Sequence, residues 1–264
     1  KKKRKIIVMI DDVDRLSNEE IISVFQLVKT IADFPYAVYL LAFDCEIIIN
    51  ALREVQKGDG AEYLEKIVQV PFELPEPESE DVHRIFVERL ESIIDESDLK
   101  KWDSDLWNKM FFSIGPCLKS VRDAVRLLNL FALKYTLMRG ETDVIELLGL
   151  TCIEIFEPAV YGAIPFHKKQ LCGGIYAPNY QEEMNRTTDS YNILVAEVRE
   201  DTRKDAVGNI LTALFPKLDS VANRHYKIGR TYNNSEALSN TRIAHISCFD
   251  RYFKLNIGRD ALPK

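Results

Sequence analysis

Two unbroken apolar runs, Ile6–Ile10 (IIVMI) and Ala37–Phe43 (AVYLLAF), lie near the start of the chain. Both have strand length and neither alternates with polar residues. That pattern predicts strands covered on both faces, as in a parallel α/β sheet. Between them Ile21, Phe25, Val28 and Ala32 recur at helical spacing, so a helix is predicted there. Ser17 followed by Glu20 forms a capping box at its start, and Phe34-Pro35 stops it. Asp44 closes the second run and suits the N-cap of another helix, whose apolar face is Ile48, Leu52 and Val55. Lys57-Gly58-Asp59-Gly60 is a break. Ile67–Leu74 (IVQVPFEL) predicts a third strand, which Pro71 confines to a sheet edge or a strand end. Strand–helix–strand–helix–strand order implies an α/β unit with right-handed crossovers.

Pro75-Glu76-Pro77-Glu78 reads as a rigid linker, and the pattern after it turns helical. Val82, Phe86, Leu90 and Ile93 share one face. Val121, Val125, Leu128, Ala132 and Tyr135 form a second stripe ending before Gly140. Val144, Leu148 and the apolar residues up to Phe156 make a third, stopped by Pro158. The stretch from Gly162 to Asn185 is weakly periodic and predicts loops. Ala206, Ile210, Leu214 and Phe215 predict a late helix ending at Pro216, and the last 45 residues give no clear pattern. The division expected is an α/β core over 1–77, a helical lid over 78–160 and a mixed, mainly helical region over 161–264.

Composition adds limits. The chain has 264 residues, 46% hydrophobic and 29% charged, the profile of a globular protein with a substantial core. Net charge is −6, although the chain opens with Lys1-Lys2-Lys3-Arg4-Lys5. Outside that opening the balance is about −11, which argues against a nucleic-acid groove along the whole chain. The basic opening reads as a solvated lead-in to the first strand, with a nuclear signal or a phosphate-contacting patch as the alternatives. The clusters His167-Lys168-Lys169 and Arg224-His225-Tyr226-Lys227 are basic with an aromatic nearby and read as solvated loops, with nucleic-acid contact as the alternative. Five cysteines (45, 117, 152, 172 and 248) form no CxxC pair, which favours reduced thiols and a cytoplasmic setting. No secretory signal is expected. The most apolar long window, Leu147–Phe166, carries Glu154, Glu157 and Pro158 and predicts no membrane span.

The candidate chemistry sits in Met9-Ile10-Asp11-Asp12-Val13-Asp14-Arg15, three carboxylates directly after an apolar strand. This is the form of a Walker B element. In an open α/β sheet the carboxyl ends of the strands face the ligand crevice. A carboxylate there suits a water on Mg²⁺ that bridges nucleotide phosphates. A second acid suits orienting or deprotonating an attacking water. Asp11 takes the metal position, and Asp12 and Asp14 compete for the base role. A strand continuing through residue 14 would point Asp12 and Asp14 the same way, and a turn at Asp12 would break that parity. The plain alternative is an acidic loop before the Ser17 helix, with Arg15 as its counter-charge.

Several motifs in order resemble the KAP family of P-loop NTPases. IIVMIDDVDRLSNEEI (6–21) is similar to its Walker B strand and helix, YLLAFD (39–44) to its sensor strand, and EYLEKIVQVPFELP (62–75) to its edge-strand segment. LKSVRDAVRLLNLF (118–131) resembles the lid helix carrying a sensor arginine. LFPKLDSV (214–221) and FDRYFKL (249–255) resemble late segments of bacterial members. The resemblance implies ATP and Mg²⁺ as ligands, with Asp44 beside the γ-phosphate or the attacking water. It implies that Arg122, on one helix face with Arg126, reaches the phosphates on lid closure. Arg15 is either a finger at a subunit interface or a balance for the aspartates. The resemblance further implies a homo-oligomer or a partner protein, and a role in anti-phage defence. GxxxxGK[ST], the phosphate-binding loop, is absent, so the chain reads as the downstream portion of a longer ATPase and is expected to hydrolyse nothing alone. The alternatives are an inactive scaffold or a DNA-stimulated ATPase.

Overall fold

Ile6–Ile10 (β1) pairs in parallel with Ala37–Leu41 (β2), Ile6 opposite Ala37 and Ile10 opposite Leu41. The pairing continues one step beyond the strands, because the Ala42 N–H donates to the Ile10 carbonyl at 3.0 Å. This computed structural model describes residues 5–31, 34–53, 59–174, 180–222 and 233–253. Residues 1–4 of the basic opening, Ala32, Val55, Lys57 and Gly58 of the break, the 224–227 cluster and residues 254–255 of the last motif therefore lie outside the described residues. The chain divides into two compact units, 1–75 and 76–264.

In the first unit, Asn18–Ile31 (α1) crosses from β1 to β2. The Glu20 carboxylate accepts from both the Ser17 backbone N–H (2.9 Å) and its hydroxyl (2.8 Å), the return half of a capping box. Cys45–Arg53 (α2) and Gly60–Glu65 (α3) follow. Gly60 is needed where it stands, since a side chain there would collide with the Ile49 carbonyl of α2. Ile21, Phe25, Val28, Ile48, Ala51 and Leu52 are buried, and Ile10, Tyr39 and Leu41 pack against them from the sheet.

That core covers only one face of the sheet. Ile7 (68% exposed), Met9 (73%), Val38 (51%) and Leu40 (53%) face outward, so the expectation of two covered faces fails for this chain. The apolar runs lack alternation because both faces are apolar, yet helices from these residues reach one side alone. The third strand is also corrected. Ile67 is buried and Val68 packs beside it, but Val70, Phe72 and Leu74 are each more than 80% exposed and no strand forms there. Strand state requires a neighbour to satisfy the backbone N–H and C=O groups, which alternation alone cannot supply.

The second unit is helical. Its helices are Ser79–Ile93 (α4), Glu96–Leu99 (α5), Ser104–Ile114 (α6), Val121–Met138 (α7), Val144–Phe156 (α8), Pro158–Ala163 (α9) and Lys168–Leu171 (α10). Tyr180–Ala196 (α11), Lys204–Leu214 (α12), Pro216–Ala222 (α13) and Asn234–Ser239 (α14) complete it. Helix starts are set by local acceptors: Asp103, Ser120, Asp143 and Asn233 each accept from a backbone N–H of the first turn. Helix α8 is buried on nearly all sides. No single described helix is long and apolar enough to cross a membrane. The pair α8 with Pro158–Leu171 passes on length and composition only, and is bent by 116°.

Two expectations shift here. On α7 the most buried residues are Ala124, Leu127 and Phe131, with Val121, Val125 and Ala132 only partly covered. Leu128 and Tyr135 of the expected stripe are buried, and the buried face is turned toward Ala124, Leu127 and Phe131 beside them. The region from Gly162 to Asn185 carries α10 and the start of α11 rather than loops alone. The buried face of α11 is Thr187, Ser190 and Leu194, too polar to show as apolar periodicity.

Buried charge closes this unit. Lys134, 2% exposed, pairs with Glu154 and lies 5.1 Å from the Tyr161 ring centre. Arg242 meets Asp103 (2.8 Å), Asp143 (3.4 Å) and Glu146 (3.6 Å). Glu146 also accepts from the Ile243 N–H (2.6 Å) and the Tyr252 hydroxyl (2.9 Å), tying residues 242–252 to the start of α8. Burial, reinforced by the Asp143 charge, pushes the Glu146 carboxyl up to about 8 against the pull of Arg242. The folded chain therefore keeps a proton that the unfolded chain releases near 4.5. This contribution to stability is full below that value and is lost as pH rises through about 8. Urea midpoints measured from pH 6 to 9 are expected to fall with pH. Glu146→Gln, uncharged throughout, is expected to lose much of that slope; an unchanged slope would refute the assignment.

Candidate phosphate and magnesium site

Parallel, in-register pairing carries both strands to the same end of the sheet. Asp11 follows Ile10 directly, and Asp44 follows Leu41 by three residues. Strand geometry stops at once. The Asp11 carboxylate accepts from the Asp12 N–H at 2.8 Å, and Asp12 adopts φ 56°, ψ 30°. This left-handed conformation is uncommon outside glycine, but aspartate tolerates it better than most residues. Val13–Arg15 then forms one 3₁₀ turn. Val13, 1% exposed, plugs that turn into the core, leaving Asp12 exposed and Asp14 half-buried on either side. The turn breaks the strand parity that would have pointed Asp12 and Asp14 alike.

The charges around this turn are little compensated. Arg15 meets Asp12 at 2.9 Å, with both side chains more than half exposed. An exposed pair of this kind contributes at most about 1 kcal/mol, and its geometry favours Arg15 as local counter-charge. Asp14 has no hydrogen bond or ion pair among the described residues. The Asp44 Oδ1 accepts from the Glu46 N–H (2.9 Å) and the Ile47 N–H (3.3 Å), capping α2, and its Oδ2 has no hydrogen bond among the described residues.

These residues fit a magnesium nucleotide in one specific respect. No cluster of three His, Cys, Asp or Glu able to hold a metal ion occurs among the described residues. Mg²⁺ does not need such a cage, since it is commonly held by one or two carboxylates together with waters and phosphate oxygens. Asp11, with one oxygen engaged by a single backbone N–H, has the capacity for that part.

Arg122 and Arg126 belong to the second unit, on the first turns of α7. Arg126 stands 3.9 Å from Asp123, whereas Arg122 makes no hydrogen bond or ion pair among the described residues. The 167–169 cluster lies on helical turns rather than in a solvated loop: Lys168 is three-quarters covered, pairs with Asp250 at 2.6 Å and stands 5.4 Å from the Phe249 ring centre. One feature escaped the sequence reading: a cavity lined from α4, α6 and the Gly115–Cys117 turn. Its walls come from separate stretches of the chain, which no local pattern joins.

A parallel strand pair with acids at its carboxyl ends, joined in the chain to a helical unit, defines a partial P-loop NTPase α/β fold. A family model described as the KAP family P-loop domain matches residues 1–138. The chain belongs to the KAP family. It is 32% identical over 161 residues to a phage T7 exclusion protein of Escherichia coli (strain K12), across 60% of this chain and 22% of that protein. The chain thus spans less than a quarter of that relative's length. No solved structure matches.

The cap role of Asp44 is separable from any ligand role. Asp44→Ala is expected to destabilise the first unit by about 0.5–2 kcal/mol. Asp44→Asn, which keeps the acceptor, is expected to stay within a few tenths. Thermal melts of both variants check this; equal losses would remove the cap from the account.

Proposed function

We propose that this chain is the downstream portion of a KAP-type ATPase that hydrolyses ATP with Mg²⁺ and uses lid closure to drive a conformational change. The observation that carries this reading is the shared strand end, where Asp11, Asp12, Asp14 and Asp44 gather at the carboxyl edge of a parallel pair. Asp11 would hold the metal. Asp12 or Asp14 would orient the water, Asp14 having the free carboxylate and Asp12 an arginine to release. Arg122 would neutralise phosphate charge, a task its planar fork suits. Mg²⁺ when bound supplies charge stabilisation to the transferred phosphoryl group.

The phosphate-binding loop would come from sequence outside this chain. The exposed apolar face of Ile7, Met9, Val38 and Leu40, with the unpaired Val70–Leu74 segment, supports this reading. A P-loop sheet short of strands would present such surfaces. The name of the phage exclusion relative supports a role in defence against phage, and we place the protein in the cytoplasm as a homo-oligomer or with a partner protein.

The test is ATP turnover by the full-length protein. Asp11→Asn is expected to lose at least about a hundredfold, and whichever of Asp12→Asn and Asp14→Asn loses more marks the base. Unchanged turnover in Asp11→Asn and Asp12→Asn alike would sink the assignment. A second reading is a scaffold without nucleotide chemistry. Labelled ATP separates the two, since saturable, Mg²⁺-dependent binding excludes the scaffold.

A further inference from the structure

Two of the buried thiols meet inside the helical unit. Cys117 closes the 3₁₀ turn that follows α6, and Cys152 lies on α8. Each is 1% exposed, and their side chains are hydrogen-bonded to one another. The contact follows from how α6 and α8 pack. Gly149 lets α6 come close, since a Cβ there would collide with the Met110 Sδ. Cys152 stands three residues further along α8, on the same face as Gly149. Cys117 follows Met110 beyond the end of α6. A disulfide here asks only that two adjacent sulfurs close to about 2 Å.

The two thiols are not equivalent. The hydrogen bond from Cys152 holds the Cys117 thiol below its ordinary value, and Arg203 acts the same way, against burial and the charges of Glu157 and Glu200. The same hydrogen bond, with burial, pushes the Cys152 thiol well up. Cys117 is thus the better thiolate and Cys152 the donor that partners it. Arg203 is held in place: its Nη1 lies 3.1 Å from Glu200 and 3.6 Å from Glu157, and its guanidinium 5.1 Å from the Phe156 ring centre. Its buried Nε has no hydrogen bond among the described residues, which leaves this cation a donor to spare. Gly115, Pro116, Leu118 and Lys119, on either side of Cys117, line the cavity described above. The turn that shields the thiol is therefore open to water-sized molecules on its other side. Cys172 differs, since burial pushes its thiol up to about 12 and its Sγ donates to the Ile243 carbonyl at 3.8 Å.

We propose that Cys117 and Cys152 are a peroxide-responsive thiol pair, with Cys117 as the nucleophile and Cys152 as the resolving thiol. The oxidant is hydrogen peroxide, small enough to reach Cys117 when the turn opens locally. The Cys117 thiolate attacks one peroxide oxygen and the O–O bond breaks. The departing hydroxide takes the proton that Cys117 gave up and leaves as water, and Cys117 becomes a sulfenic acid. The Cys152 sulfur then attacks the Cys117 sulfur and the S–O bond breaks. Hydroxide leaves with the Cys152 proton as a second water. The two thiols give up two electrons, and one peroxide is reduced to two waters. The new bond ties the turn leading into α7 to α8, and a thiol reductant reopens it. In reducing compartments disulfides are usually of this transient, sensing kind. The inference stands on the helical unit alone and is independent of the nucleotide reading.

The test is a thiol map of the full-length protein. Folded protein is treated with hydrogen peroxide, its remaining thiols are blocked with N-ethylmaleimide in urea, and the digest is read by mass spectrometry without reductant. The expected result is a peptide pair joined through Cys117 and Cys152, lost again on treatment with dithiothreitol. Cys172 and Cys248 should stay maleimide-blocked throughout. Cys152→Ala, a small change in volume, is expected to accumulate Cys117 as a sulfenic acid that dimedone traps, whereas Cys117→Ala should leave Cys152 unoxidised. Cys117 and Cys152 still fully blocked after doses that oxidise the exposed Cys45 would overturn the proposal. So would a link between them that forms as readily in urea, where the fold contributes nothing. The wild-type map decides the question even where a variant fails to fold.

Discussion

The parallel pairing of Ile6–Ile10 with Ala37–Leu41 is the constraint on which the candidate site depends. Parallel strands need a crossover, and α1 supplies it, burying Ile21, Phe25 and Val28 under the sheet. Because the strands run the same way and in register, both apolar runs end side by side. The acids that follow them therefore concentrate in one place. An antiparallel pair would have put Asp11 and Asp44 at opposite ends of the sheet. The cost of gathering these carboxylates is limited by exposure to water, by the Asp12–Arg15 pair and by the cap bonds of Asp44.

The helical unit meets its own constraint with buried charge. A helix as apolar as α8 can be covered from every side, and its polar start must then be satisfied inside the protein. Asp143 and Glu146 stand at that start, and Arg242 with Tyr252 answers them from the end of the described chain. One guanidinium among three carboxylates leaves the cluster short of positive charge. The proton retained by Glu146 relieves this, as the upward shift of its carboxyl indicates. The same logic places Lys134 in the interior, where Glu154 and the Tyr161 ring replace its water.

Local signals were legible wherever the physical cause is local. Ser17 with Glu20, and Asp44 before Cys45, act through bonds within a few residues, and both form as the chain order suggests. The stop at Phe156 before Pro158 follows from the missing proline N–H. Legibility failed where a partner at a distance decides. Val70, Phe72 and Leu74 alternate as a strand should, but pair with nothing among the described residues. The buried face of α11 uses Thr187 and Ser190, which no apolar pattern reveals. On α7 the expected Leu128 and Tyr135 are buried, but Leu127 and Phe131 join them while Val121 and Val125 are only partly covered, because volume to be filled selects among neighbouring stripes.

By itself the sequence determined that apolar strands end in carboxylates, that helices begin after Ser17 and Asp44, and that the motifs follow one family's order. These are consequences of residue type and short spacing. Tertiary structure decided what lies across from what. Hydrogen bonding between β1 and β2, separated by a whole helix, set Asp11 near the end of the Asp44 strand. Val13, drawn into the core, turned the chain at Asp12 to φ 56° and parted Asp12 from Asp14. Packing of α4, α6 and the Gly115 turn made a ring-lined cavity that none of the three stretches contains alone. Each depends on contacts between distant residues, and periodicity along a chain carries no record of them.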